Sequence, residues 1–259
     1  MKKLLFLLLT CGVVVSCGKT DLPTPINKPT EDKPVIELTG SIFVNGLPLL
    51  KKIDDSENGI TEYFYDESKR AVRITSDKSP FSETRYKYKG DLMIERSLTK
   101  NPNYVSPNPQ FLFNTDPSYY EYDNQGRVTV SKSSSYLYSF SYDGNSVTES
   151  SKSLVASNSE TRISASYKYD NKGNVMEFSQ DDQLNEYTYD NKIKPNSFNP
   201  SHNTAHPFAR SKNNVLTEKV SGGWFGNSYT TYTYTYNKYG LPITSTSDKG
   251  KIITYTYYE

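Results

Sequence analysis

Cysteine, histidine and tryptophan are nearly absent from this 259-residue chain, which contains two, two and one of them. Its 30 basic and 29 acidic residues almost cancel, so it lacks the positive charge typical of nucleic-acid binding. Phosphate-loop, dinucleotide and Gly-x-Ser-x-Gly motifs are also missing. These absences point away from nucleic-acid partners and from cofactors, and they predict a protein that is not an enzyme.

One apolar run stands out, at the N-terminus. Lys2 and Lys3 precede the mostly apolar stretch 4–15, and the small residue Ser16 precedes Cys17. About twelve apolar residues are too few for a membrane-spanning helix, which needs roughly twenty. The pattern predicts a secretory signal over residues 1–16 that is removed on export. An ordinary signal with a cysteine nearby is the alternative.

The segment Val14-Val15-Ser16-Cys17 resembles the lipobox of bacterial lipoproteins, in which the cysteine carries acyl chains on its sulfur and its α-amino group. The resemblance implies lipidation of Cys17, and two or more acyl chains hold a protein firmly on its membrane. Residues 18–34 contain four prolines, so residues 17–34 are predicted to be an anchor and an extended tether. The expected location is the bacterial cell envelope at the outer membrane, on either its periplasmic or its surface face.

Aromatic residues dominate the remaining segment, 35–259. The chain has 23 tyrosines, and 14% of its residues are aromatic, which excludes a disordered polymer. Eight copies of an aromatic couplet, aromatic-x-Tyr, recur at intervals of 20 to 47 residues, which suggests repeated supersecondary units. The couplets are Tyr63/Tyr65, Tyr86/Tyr88, Tyr120/Tyr122, Phe140/Tyr142, Tyr167/Tyr169, Tyr187/Tyr189, Tyr234/Tyr236 and Tyr255/Tyr257.

Each couplet predicts a strand of a β-hairpin. Residues i and i+2 of a strand share one face, so both rings point the same way and the residue between them points oppositely. That middle residue is Lys87, Glu121 or Lys168 in three copies, which is typical of an antiparallel sheet with one packed face. Asp123 to Gly126 and Asp170 to Gly173 have the residues of a type I turn.

The pattern Tyr-x-Tyr-Asp-x-x-Gly-Arg/Asn-Val resembles the YD (RHS-like) repeat, most closely at 120–128 and 167–175. Together with the signal, the tether and the segments 187–198 and 211–215, it is similar to a family of bacterial lipoproteins of unknown function with a porin-like fold. The resemblance covers about residues 40–259. It implies a fold and brings no activity and no functional residues.

The predicted architecture is all-β: an antiparallel meander of hairpins that forms a barrel-like or wrapped sheet and is water-soluble. Eight hairpins imply 14 to 16 strands, which is too wide a ring for side chains alone to fill, so the interior should be partly wet or flattened. A membrane-spanning barrel is the rival. It needs an outward apolar band, where this sequence places Lys87, Glu121 and Lys168 opposite the tyrosines.

Three clusters of polar residues could hold a metal or act on a substrate, and each has a simpler interpretation. The segment 54–59 copies the first half of a calcium loop, but its twelfth position is Tyr65 instead of a glutamate, which favours a hairpin turn. His202 and His206 lie among prolines and asparagines, as in an irregular insertion. Asp181 and Asp182 are adjacent, so on a strand they would point apart. No metal or cofactor is therefore predicted.

The aromatic segment around Trp224 is the candidate for ligand contact. Trp224 and Phe225 lie between glycines just before a tyrosine-rich strand that includes Tyr229, so the three could stack on a sugar or a partner. Covering one end of the sheet is the simpler role for Trp224, and the sequence favours it, because large aromatic residues are seldom exposed without a partner. The preferred hypothesis is a non-catalytic envelope module, a binding or scaffold protein for a glycan or a protein. The rival is a secreted, carboxylate-dependent glycoside hydrolase.

Overall fold

The computed structural model describes residues 38, 40–104, 115–155, 160–195, 197, 211–223 and 226–259. All regular secondary structure among these residues is β. No helix long and apolar enough to cross a bilayer occurs in them. Cys17, His202, His206, Trp224 and Phe225 lie outside the described residues, so the predictions about them stay predictions.

Eighteen strands follow one another along the chain. Their bounds are β1 Phe43–Val44, β2 Leu47–Pro48, β3 Leu50–Asp55, β4 Gly59–Tyr65, β5 Ala71–Ser76, β6 Phe81–Lys89, β7 Leu92–Lys100, β8 Ser118–Tyr122, β9 Val128–Lys132, β10 Tyr136–Asp143, β11 Ser146–Ser153, β12 Arg162–Tyr169, β13 Val175–Gln180, β14 Gln183–Ile193, β15 Asn213–Ser221, β16 Ser228–Tyr236, β17 Pro242–Ser247 and β18 Ile252–Tyr257.

Strands β3 to β18 form one closed, antiparallel barrel. Each strand pairs with its neighbour in the chain, and β18 returns to pair with β3 in the register Tyr255 opposite Ile53. The prediction of an all-β antiparallel meander is confirmed, and the upper estimate of 16 strands is the observed number. The eight couplets lie on alternate strands, β4 to β18, so each hairpin supplies one couplet.

Because the strands run up and down, their connections alternate between two ends of the barrel. We call one end the turn end; it holds the short connections that follow each couplet, such as 66–70, 123–127 and 170–174. We call the other the loop end; its connections include 101–117, 154–161 and 222–227. The chain enters at the turn end, where the backbone N–H of Leu38 donates to the carbonyl of Tyr65 at 2.9 Å.

The couplets face the barrel interior. Tyr65 and Tyr167 are 0% and 1% exposed, whereas the side chain of Lys168, between the tyrosines of one couplet, is 63% exposed. The main apolar cluster joins interior tyrosines from several even-numbered strands to small residues of the strands between them, such as Val128, Val147 and Val175. The predicted inward direction of both rings is therefore observed.

A second, smaller hairpin covers part of the interior at the turn end. β1 and β2 pair through an Asn45-Gly46 turn, in which both residues have a positive φ. Leu47 packs against the cluster of Leu50, Leu241 and Tyr257. This hairpin was not predicted, although Asn-Gly between apolar residues is a strong hairpin signal.

Candidate functional site

An aspartate closes several turns at the turn end, those that begin at Asp66, Asp123 and Asp170. In the turn that begins at Asp170, Oδ1 accepts the backbone N–H groups of Lys172 and Asn174, both at 2.8 Å, and Oδ2 accepts the side-chain amide of Asn174 at 2.9 Å. Gly173 sits at φ 87°, as the predicted turn requires. Burial raises the pKa of Asp170, but the hydrogen bonds from Asn174 outweigh it, and the pKa is lowered.

Tyrosine hydroxyls form hydrogen bonds across six of the eight hairpins at the same end. The second tyrosine of six couplets donates its hydroxyl to a backbone carbonyl at or next to the start of an odd-numbered strand, at 2.6–2.8 Å. The pairs are Tyr65 to Leu50, Tyr88 to Ala71, Tyr122 to Met93, Tyr142 to Val128, Tyr189 to Val175 and Tyr257 to Pro242. The phenol thus supplies apolar area and satisfies a carbonyl, which phenylalanine could not do.

The longest interval between couplets is an insertion into one of these turns. Asp190 Oδ1 accepts the backbone N–H of Lys192, as Asp170 accepts that of Lys172. Its second backbone donor is not Lys194, two residues further on, but Asn214, at 3.0 Å. Asp190 Oδ2 accepts the side-chain amide of Asn214 at 3.0 Å, as Asp170 does with Asn174. Residues 193–213 are therefore an insertion into a turn, and the residues on either side of the insertion keep the hydrogen bonds of the uninterrupted turn.

The loop end contains the acidic segment that copies half of a calcium loop. Asp55 Oδ1 accepts the N–H groups of Glu57 and Asn58 at 2.9 and 3.0 Å, and its Oδ2 lies 2.9 Å from Lys251 Nζ. Burial alone would raise the pKa of Asp55, but Lys251 and Asn58 lower it to about 2. Tyr65 lies at the far end of β4, so it cannot complete the loop. The geometry is that of a hairpin turn.

The other predicted residues of the loop end do not converge on one point. Asp181 and Asp182 form the exposed two-residue turn between β13 and β14. Tyr229 is 55% exposed and lies opposite Lys219, so it points out from the barrel wall. In the described part of the chain, no three His, Cys, Asp or Glu side chains form a cluster that could hold a metal ion.

The interior carries charged residues that the sequence interpretation did not single out. Glu149 on β11 is 7% exposed and accepts hydrogen bonds from the hydroxyls of Ser164 and Tyr167 at 2.8 and 3.1 Å. Glu218 on β15 lies opposite Tyr187 and within 3.4 Å of the Tyr232 hydroxyl. Burial, with Glu149 nearby, raises the pKa of Tyr167, which keeps this hydroxyl protonated as a donor.

Arg96 on β7 is a cation on the interior face of the described wall. It lies opposite Tyr86 on β6 and opposite Ser118 on β8, and residues directly opposite in antiparallel strands share a face. Its Nε is buried and has no hydrogen-bond partner among the described residues. The neighbouring Glu95 points to the other face, where its carboxylate lies 3.4 Å from Lys87 Nζ. The sequence contains a signal, because Arg96 is a charged residue at a position that faces the interior. That direction is visible only from the register of β7 with β6 and β8.

The outer face is polar where its residues pair across strands. Lys168, Glu177, Glu186 and Lys219 form one row over four strands, β12 to β15, with ion pairs of 2.6 and 2.5 Å at its two ends. Hydroxyls of threonine pairs meet at 2.6 Å on the same face. Large apolar residues also occur outside, among them Ile163 and Ile252.

No family model matches the chain, and no curated protein matches it. Solved structures are similar to it at low sequence identity, among them the following two. One is a porin-like protein from Bacteroides vulgatus ATCC 8482, with a TM-score of 0.46, 11% identity, and coverage of 81% of this chain and 98% of that one. The other is a porin-like protein from Bacteroides uniformis ATCC 8492, with a TM-score of 0.45, 15% identity, and coverage of 80% and 94%.

Proposed function

We propose that this chain is a lipid-anchored, non-catalytic protein of the bacterial cell envelope that presents the loop end of a water-soluble barrel to a glycan or protein ligand. One observation carries the proposal: the chain enters the barrel at the turn end, at Leu38. A tether from Cys17 would attach there. The loop end, with the segment around Trp224, would then be the end left open to partners.

The anchor rests on the sequence. Cys17 fits the modified position of a lipobox, and residues 18–34 are rich in proline, as an extended tether requires. The YD-like turns after the couplets support the related resemblance to envelope lipoproteins of unknown function, because Asp123 and Asp170 accept the hydrogen bonds that such turns need.

Solubility in water is supported by the outer face. A barrel that spans a bilayer needs an apolar outer band, and a lysine or glutamate there would meet hydrocarbon. The row of Lys168, Glu177, Glu186 and Lys219 crosses four strands of the wall. We therefore expect the Cys17→Ser variant without its signal to remain in solution without detergent. Stable insertion into lipid vesicles, with ion conductance, would contradict this part of the proposal.

Binding is tested with the soluble variant on an array of envelope polysaccharides and by capture of envelope proteins. We expect saturable binding that Trp224→Ala weakens at least tenfold. Tyr119→Ala is the matched control, because Tyr119 is an exposed aromatic residue of the wall, opposite Lys132. Equal loss in both variants would mean that Trp224 has no special role, and no ligand in either screen would leave a scaffold role.

The hydrolase alternative has less support. Glycosidases place two carboxyl groups about 5 to 10 Å apart. Glu149 and Glu218 lie four strands apart, which at about 4.8 Å per strand is an arc of roughly 19 Å along the wall. Cleavage of an array polysaccharide by the purified chain, lost in Glu149→Gln or Glu218→Gln, would establish the alternative instead.

A further inference from the structure

We propose that Arg96, with Tyr86 and Tyr120, forms an interior site for the carboxylate of an acidic saccharide. The inference rests on the proposed binding function and names a ligand class and a place for it. The specific contact with the carboxylate would then lie on the interior wall of the barrel, at Arg96.

The side chain of Arg96 has a buried nitrogen without a hydrogen bond among the described residues. A buried polar atom without a hydrogen bond costs stability, and such atoms in native proteins are few. Arg96 Nε is in this state among the described residues. The two interior glutamates differ, since hydroxyl groups of their neighbours lie within hydrogen-bond reach of Glu149 and Glu218. Among the described residues, Arg96 is thus an interior charge with a buried nitrogen that no protein group satisfies.

Tyrosine rings lie on both sides of Arg96. β7 lies between β6 and β8, so Arg96 is flanked by the interior tyrosines of both. Tyr86 and Tyr120 belong to one apolar cluster, in which Tyr120 is buried and Tyr86 keeps some exposure. Aromatic walls with a few fixed polar groups are typical of small-molecule sites. The rings offer faces for a sugar, and their hydroxyls can exchange hydrogen bonds with its hydroxyl groups.

The guanidinium of Arg96 favours a ligand that carries a carboxylate. A guanidinium presents parallel N–H donors that match the two oxygens of a carboxylate. The nearest acid along β7, Glu95, is on the outer face with Lys87 and cannot serve. Ser118, opposite Arg96 on β8, is a neutral hydroxyl that leaves the charge in place. A ligand carboxylate would therefore supply the ion-pair partner that the described residues do not offer to Arg96.

The turn end of the interior is partly covered by chain. The small hairpin β1–β2 packs on the interior cluster at the turn end, through Leu47. The loop end lies at the opposite ends of the strands. We therefore expect an acidic saccharide to enter from the loop end.

The test uses the Cys17→Ser chain without its signal and measures binding by calorimetry at low salt. The probes are an oligomer of galacturonic acid, the galactose oligomer of equal length, and inorganic sulfate. We expect the acidic oligomer to bind at least tenfold more tightly than the neutral one. Arg96→Gln should remove this difference, and Arg96→Lys should restore part of it, because lysine keeps the charge without the fork.

A second variant protects the test against misfolding. Ser118→Asp places a carboxylate directly opposite Arg96, on the same face. We expect it to raise the melting temperature and to abolish binding of the acidic oligomer. A stabilised variant that still binds the oligomer at full strength would overturn the proposal.

The remaining outcomes separate this inference from the proposed function. If Trp224→Ala abolishes binding of the acidic oligomer and Arg96→Gln changes nothing, the interior site is wrong and the proposed function stands. If sulfate alone binds as tightly as the acidic oligomer, the tyrosines contribute nothing and the saccharide is wrong. If neither acidic nor neutral polysaccharides bind the unaltered chain, both proposals fail for glycans.

Discussion

The interrupted turn at Asp190 predicts that residues 193–213 can be removed without loss of the barrel. Replacing them by a single glycine gives Asp-Asn-Lys-Gly-Asn-Val, the same six residues as in the intact turn 170–175. Asp190 already binds Lys192 and Asn214 as that turn requires. We expect the shortened chain to fold into the same 16-stranded barrel.

The expected stability follows from two opposing contributions. The deletion removes the hydrogen bonds by which Ser211, Lys212 and Asn213 hold Val175 and Asn174, at a net cost of about 0.5–1 kcal/mol each. Shortening the connection from about 24 residues to 4 recovers up to about 1.6 kcal/mol of loop-closure entropy. The free energy of unfolding should therefore fall by about 1–2 kcal/mol, as measured by urea denaturation with circular dichroism.

A deletion of equal length, shifted by one residue, is the control. Replacing 194–214 by glycine puts glycine in the place of Asn214, which keeps a backbone N–H there but removes the side-chain hydrogen bond to Asp190 Oδ2. It also places Ile193 where Gly173 has a positive φ, which costs a side chain about 1–2 kcal/mol. The control should be about 2 kcal/mol less stable than the first deletion. Equal stability of the two deletions would refute the idea that the chain resumes an interrupted turn.

Three further predictions concern the tyrosines and the turns. Tyr257→Phe removes the 2.7 Å hydrogen bond to the Pro242 carbonyl and should lower stability by about 1–3 kcal/mol, whereas Tyr229→Phe on the exposed wall should change thermal unfolding little. Lys69 holds a φ of 62° in a turn position where glycine is favoured, so Lys69→Gly should raise stability by about 1 kcal/mol in urea denaturation; a loss would contradict the turn geometry. Burial raises the pKa of interior tyrosines, to about 12 for Tyr86, so their contribution to stability is complete below pH 10 and is lost as the pH rises toward 12. Phenolate absorbance during a pH titration should therefore show a fraction of the tyrosines that ionises only as the pH approaches 12. Ionisation of all tyrosines in a single transition near pH 10 would contradict the burial of their hydroxyls.

The hairpins could be predicted from sequence because their signals are local. A period of two places both rings of a couplet on one face, and the Asp and Gly of each turn act within five residues. The predicted turns at Asp123 and Asp170 have the expected hydrogen bonds and the expected positive φ at Gly126 and Gly173. Closure of the barrel is different, because it depends on the sum of all strand tilts and registers, which no single repeat encodes.

The candidate site was harder to predict for the same reason. The sequence interpretation grouped Tyr229 with Trp224 because they are close along the chain, but the register places Tyr229 on the outer wall beside Lys219. Arg96 is one residue from Glu95, yet the two lie on opposite faces. Direction relative to the interior follows from which face each strand turns inward, and bulges such as the one at Lys87 and Tyr88 shift that pattern within a strand.

The pairing of β18 with β3 has a consequence for how the molecule is made. Every other strand pair in the barrel joins neighbours in the chain, so hairpins can form in order as synthesis proceeds. The final seam joins residues almost two hundred positions apart, as in the hydrogen bond from the backbone of Ile252 to Ser56. Until β18 arrives, the sheet has two unpaired edges that invite aggregation, so a short C-terminal truncation should harm solubility more than its length suggests.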